Sequence, residues 1–208
     1  GEWVLKTVCS QMKGWVDSGM DPLRVAVNLS ARQFKQEDLK TKITSFLNDS
    51  GIEPGWLELE LTESVVMEDI QASSVILNDL RRMGVKISMD DFGTGYSSLS
   101  MLKRLPLDTL KVDQSFVRDL TLDHDNAAIV HAVITLGKSL RFRVVAEGVE
   151  TEEQLELLKE LGCDDVQGFL FSRPIPSADI EAWLREEQES REDADPASPI
   201  SALLARCM

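Results

Sequence analysis

Seven polar residues stand out by chemical type and by position. Asn28, Glu60, Asp90, Asp91, Lys111, Glu147 and Gln167 each lie at the carboxyl end of a short apolar run, such as Val25-Ala26-Val27-Asn28 or Val144-Val145-Ala146-Glu147. Four carboxylates and two carboxamides are hard oxygen donors, a set suited to Mg²⁺ or Mn²⁺ and not to zinc. Acids crowded at short range would either take up protons or bind a cation. Neighbouring Asp90 and Asp91 suit a pair of ions, one carboxylate bridging both while the other caps one of them. Lys111 stands in an otherwise apolar run, where a buried ammonium needs an anionic partner. That partner could be Asp113, or Lys111 could hold a phosphate or a metal-bound water.

Each residue taken singly has a plainer explanation. Asn28 could satisfy loop backbone. The alternation in Leu57-Glu58-Leu59-Glu60-Leu61 could turn both acids to solvent. Asp90-Asp91-Phe92-Gly93-Thr94-Gly95 is rich in turn formers. Glu147 and Glu150 could pair with arginines, and Glu150 also precedes a helix whose dipole favours an acid. The joint pattern is the argument: these groups all close strands, and in parallel α/β folds chemistry gathers at the carboxyl ends of strands.

The elements that must position them alternate in period. A 3.6-residue stripe through Trp3, Val4, Thr7, Val8, Met12, Trp15 and Val16 predicts a helix over 2–18, stopped by Gly19. Strands follow at 24–28, 56–60, 85–90, 109–112, 143–147 and 165–167. Helices are predicted between them at 33–49, 70–83, 97–104, 125–140 and 152–161, with a last one after Ser177. Thr151 and Gln154 make a capping box for the helix over 152–161. Helices alternating with short strands mean a parallel sheet. A (β/α)₈ barrel typically needs about 250 residues. Six strands that begin at a helix therefore predict a modified TIM-type barrel with about six of its eight strands present, the first two lying upstream of Gly1. A complete open sheet of six strands is the alternative.

Composition narrows the classes. Acids outnumber bases 36 to 22, for a net charge of −14, which argues against a nucleic-acid polymer as partner. Two histidines leave little for a zinc site, and three cysteines suit a reducing cytoplasm better than a disulfide framework. No apolar run approaches the roughly 18 residues of a membrane span, and no signal peptide is visible. The reading is one domain over 1–186 and an acidic, patternless tail over 187–208, expected to be mobile.

Several segments resemble EAL domains, the bacterial phosphodiesterases that hydrolyse cyclic di-GMP. They are Val27-Asn28-Leu29-Ser30-Ala31-Arg32-Gln33-Phe34, Glu60-Leu61-Thr62-Glu63-Ser64 and Asp90 through Leu99, followed by Leu110-Lys111-Val112-Asp113, Val145 through Glu150 and Gln167-Gly168-Phe169. The resemblance runs in order from residue 1 to about 185 and implies a modified (β/α)₈ barrel. It implies that Asn28, Glu60, Asp90, Asp91 and Glu147 ligate two Mg²⁺ or Mn²⁺ ions, with Asp90 bridging. Lys111 would hold the attacking water, Glu147 would serve as general base, and Gln167 and Asp113 would bind water or substrate. Glu63 would brace the loop 92–100, coupling the metals to homodimer formation, and Glu150 would support the site from behind.

The resemblance further implies a cytoplasmic domain whose parent carries an upstream sensory or GGDEF domain, with any membrane anchor in other domains. One departure stands: the Glu-Ala-Leu motif that names the family is absent, since Glu181-Ala182-Trp183-Leu184 falls in the last helix. The chain is expected to be a fragment of such an enzyme lacking one metal ligand, a loss that could remove its own activity. A catalytically silent EAL domain acting as a cyclic di-GMP receptor or regulatory scaffold is the competing reading. An unrelated Mg²⁺ barrel such as an enolase-type lyase gives no account of the loop from Asp91 to Leu99.

Overall fold

The computed structural model describes residues 1–95, 99–183 and 185. Among the described residues there are six strands: β1 (Val25–Asn28), β2 (Leu57–Thr62), β3 (Lys86–Phe92), β4 (Thr109–Val112), β5 (Arg143–Glu147) and β6 (Asp165–Gln167). Each pairs in parallel with the next, in the order β1-β2-β3-β4-β5-β6. An open doubly wound sheet would reverse its order at a switch point. Consecutive order throughout instead gives a curled half-barrel, and the open-sheet alternative falls.

The helices are α1 (Glu2–Asp17), α2 (Ala31–Phe34), α3 (Leu39–Ser50), α4 (Glu63–Glu68), α5 (Ile70–Arg82), α6 (Leu99–Leu102), α7 (Gln114–Arg118), α8 (His124–Leu140) and α9 (Glu152–Leu161). Residues 177–183 are also helical. The helix expected over 33–49 is two helices. Ser30 and Gln33 form a capping box that starts α2 early, and α3 begins afresh after Asp38. The expected stripe of α1 is rotated. Leu5, Cys9, Met12 and Trp15 are buried while Trp3 is 75% exposed, because the sheet and α3 cover the row shared by residues 5, 9 and 12. α4 and α7 escaped prediction, being too short for a 3.6-residue stripe to register. The tail over 187–208 lies outside the described residues.

Strand alternation divides the two sides of the sheet. Leu57, Leu59, Leu61, Ile87, Met89, Leu110, Val112, Val144 and Ala146 are buried in one apolar core with Leu77, Leu80, Val130 and Ile134 of the helices. Burying such a side chain fully is worth about 1.5–3 kcal/mol. Gly137 marks how closely α8 approaches, since a Cβ there would overlap the Val144 side chain. The other face carries Asn28, Glu58, Glu60, Ser88, Asp90, Thr109, Lys111, Glu147 and Gln167. Register puts Asn28 beside Glu60, Glu60 beside Ser88, Ser88 beside Thr109, and Glu147 beside Gln167. Polar side chains on the concave face and leucines on the convex face are what a barrel interior facing a site requires.

Candidate metal centre

The carboxyl ends of β2, β3, β4 and β5 meet around one ammonium. Lys111 Nζ lies 2.8 Å from Glu60 Oε1, 2.5 Å from Glu147 Oε1 and 3.4 Å from Asp90 Oδ1. The Lys111 residue is 5% exposed, Glu60 7% and Asp90 9%. The ion pairs of Lys111 are thus with acids of β2, β3 and β5, and Asp113, offered as a partner by the sequence, is not among them. The Asp113 carboxylate instead accepts the Ser115 N–H as the cap of α7, and it lies against Asp91.

Asp90 and Asp91 are adjacent, so a regular strand would aim them at opposite faces. A bulge prevents this. Three steps along β3, from Met89 to Phe92, match two along β4, from Leu110 to Val112. Asp91 takes a left-handed conformation (φ 54°), and its N–H is held by Asp90 Oδ1 at 3.0 Å. Such bulges re-aim side chains, and the backbone strain is of order 1–3 kcal/mol. As a result one oxygen from each of Asp90, Asp91 and Glu147 lies within 4.8 Å of the others, a spacing that fits a cation.

The electrostatics show an excess of acid. Burial raises the Glu147 pKa to about 7; Lys111 offsets part of the rise and Asp90 adds to it. Burial likewise raises Glu60, against the pull of Lys111. Asp91 is raised by burial and by the neighbouring Asp90 and Asp113. Lys111 would be lowered by burial, yet Glu60 and Glu147 together hold it above the ordinary lysine value. Glu60, Asp91 and Glu147 are thus raised first by burial, which the single ammonium of Lys111 offsets only in part.

The remaining residues lie around this set. Asn28 and Gln167 flank it at the ends of β1 and β6, both exposed. Glu63 is 3% exposed at the start of α4; its Oε2 accepts the Gly93 N–H at 3.2 Å, and Gly95 packs so tightly on the carboxylate that a Cβ there would overlap it. That puts Glu63 beneath the described part of the 92–100 loop; residues 96–98 lie outside the described residues. Glu150 is exposed, and its backbone N–H, not its carboxylate, is tied down, by Gln154 at 2.7 Å. Among the described residues its carboxylate makes no ion pair with a Lys or Arg. Gln154 is 5% exposed and does more than cap. Its Nε2 donates to the carbonyls of Val117 and Arg118, fastening the loop after Glu147 to α7. The capping-box spacing revealed Gln154; its second partner is remote in sequence.

Comparison with known proteins follows the same segments. The model of the EAL domain family matches residues 1–174. The chain is 52% identical over 180 residues to the Pseudomonas aeruginosa bifunctional diguanylate cyclase/cyclic di-GMP phosphodiesterase MucR, covering 86% of this chain and 26% of that protein. It therefore spans about a quarter of the length of this curated relative. A solved structure of the MucR phosphodiesterase in complex with c-di-GMP superposes with TM-score 0.84, covering 86% of this chain and 73% of that one at 52% identity. The manganese/cy-diGMP complex of Klebsiella pneumoniae BlrP1 at pH 9.0 superposes with TM-score 0.73 at 35% identity, covering 83% of this chain and 44% of that one.

Proposed function

The chain belongs to the EAL domain family, and on that footing we propose that it is a metal-dependent phosphodiesterase that hydrolyses cyclic di-GMP to linear pGpG. The observation that carries the reading is the gathering of Glu60, Asp90, Asp91 and Glu147 around Lys111 at the carboxyl ends of the strands. The donor set fits hard divalent ions: it is all oxygen, and four carboxylates share one lysine.

Asn28, Glu60, Asp90, Asp91 and Glu147 would hold two Mg²⁺ or Mn²⁺ ions. When bound, the ions supply charge neutralisation for the phosphodiester and a water that gives up its proton near neutral pH. Glu147 would accept that proton as general base. Lys111 directs its ammonium at the attacking oxygen, and Gln167 and Asp113 hold the surrounding water and substrate. The water oxygen bonds to phosphorus as the P–O3′ bond breaks, and the departing 3′ oxygen takes up the proton. Glu63 beneath the 92–100 loop supports coupling of the centre to a homodimer, and Glu150 supports the loop after Glu147. The domain over 1–186, an upstream sensory or GGDEF domain and a cytoplasmic setting belong to the same reading. No helix among the described residues is long and apolar enough to cross a membrane.

The test is incubation with Mn²⁺ or Mg²⁺ and cyclic di-GMP, followed by chromatography for pGpG. Product is the expected result. Retained binding of cyclic di-GMP without product would replace the enzyme with a receptor.

A further inference from the structure

We propose that Lys111 is the resident counter-ion of the acid set, holding it together by itself and competing with divalent ions for the same carboxylates. An ammonium has three N–H donors. Here the nitrogen lies within ion-pair distance of carboxylates from three different strands: Glu60 on β2, Asp90 on β3 and Glu147 on β5, at 2.8, 3.4 and 2.5 Å. The tripod spans four strands and is nearly sealed from water, with the Lys111 side chain 6% exposed. Removing the single cation from such a buried cluster leaves its carboxylates uncompensated. Any cation that takes Glu60, Asp90 and Glu147 must share or displace the acceptors that Lys111 holds, and it must approach a fixed positive charge. Lys111 thereby makes the mouth of the sheet independent of metal for its architecture, at the expense of metal affinity.

The inference rests on the reading of these acids as a metal centre, but on no particular substrate, so Mn²⁺ binding is measured without nucleotide. The probe is Mn²⁺ alone at pH 8, titrated into the purified chain by calorimetry, with thermal melts in chelator and in Mn²⁺. Lys111→Met is expected to bind Mn²⁺ at least tenfold more tightly than the wild type (about 1.4 kcal/mol). It should melt lower in chelator and regain its stability in Mn²⁺. Lys111→Arg keeps the charge and should keep the wild-type affinity to within a few-fold. Should Lys111→Met fold only with Mn²⁺ present, the ion is withdrawn by chelators of graded strength, and a stronger chelator should be needed than for the wild type. Equal or weaker Mn²⁺ binding by Lys111→Met overturns the proposal. A wild type that binds no Mn²⁺ overturns the metal centre itself, a separate result.

Discussion

The two ends of the strands treat charge in opposite ways. At the amino ends, charges pair one to one in a ring: Arg24 with Glu58 at 3.6 Å, Lys86 with Asp108 at 3.0 Å, and Arg143 with Asp165 through two N–H groups. Glu58 and Lys86 are also register neighbours, so signs alternate around the floor of the half-barrel. At the carboxyl ends, Glu60, Asp90, Asp91 and Glu147 face one lysine. Both ends are charged and partly buried, so burial of charge does not identify a site. Imbalance does: the floor is finished without help, whereas the mouth still lacks positive charge.

The difference is broken most sharply at Asp90. Asp90→Asn should lower turnover on the order of 10³-fold, since a neutral amide cannot sit between two cations. It should leave the melting temperature unchanged or slightly raised, because one of several like charges is gone. Turnover and a thermal melt on the same preparation check both halves. A large loss of stability would make the mouth structural, like the floor.

Acidity gives the next effect. Glu147 has a pKa of about 7, above its ordinary value of 4.5. Between those two values the unfolded chain is ionised while the folded chain keeps the proton, so Glu147 costs stability as pH rises through that window and no more above it. A divalent ion needs the ionised form, so its affinity should rise up to tenfold per pH unit below about 7 and level off above. Denaturant unfolding in chelator and Mn²⁺ titration, each at pH 5 to 8, should show opposite slopes. Glu147→Gln should flatten both.

Glu63 tests the support of the mouth. Glu63→Ala removes the acceptor of the Gly93 N–H and the surface on which Gly95 rests. Activity should fall about tenfold, the scale on which outer-shell partners of metal ligands act. Unchanged kinetics together with an unchanged oligomeric state by sedimentation would remove Glu63 from the machinery.

Much of this mouth was legible from strand endings alone. Asn28, Glu60, Asp90, Lys111, Glu147 and Gln167 close their apolar runs, and a parallel sheet brings such ends together. Six strands and the Thr151–Gln154 cap followed from local spacing. The partners of Lys111 did not, because Glu60, Asp90 and Glu147 lie on three other strands and only the register selects among them. The bulge that turns Asp90 and Asp91 to one side breaks the two-residue alternation on which strand reading depends. The floor ring was invisible for the same reason, since its pairs join residues 22 to 34 apart, and each alone reads as ordinary surface charge.

The smallest effect is expected at that ring. Arg143 gives two N–H bonds to Asp165, yet the arginine side chain is 44% exposed, so water already solvates much of its charge. Exposed pairs are typically worth about 0–1 kcal/mol, and solvent screening puts this one inside that range despite its bidentate geometry. Asp165 has a side chain only 10% exposed, so Arg143→Ala alone should cost more than the pair is worth, by leaving that carboxylate without its cation. A double-mutant cycle with Asp165→Asn should therefore recover part of the loss. Mn²⁺ affinity and turnover should stay within about twofold in all three variants, since the pair sits at the opposite end of β5 and β6 from Glu147 and Gln167. A tenfold change in Mn²⁺ affinity from Arg143→Ala would mean that floor and mouth share one electrostatic balance, and the division between finished and unfinished charge would have to be withdrawn.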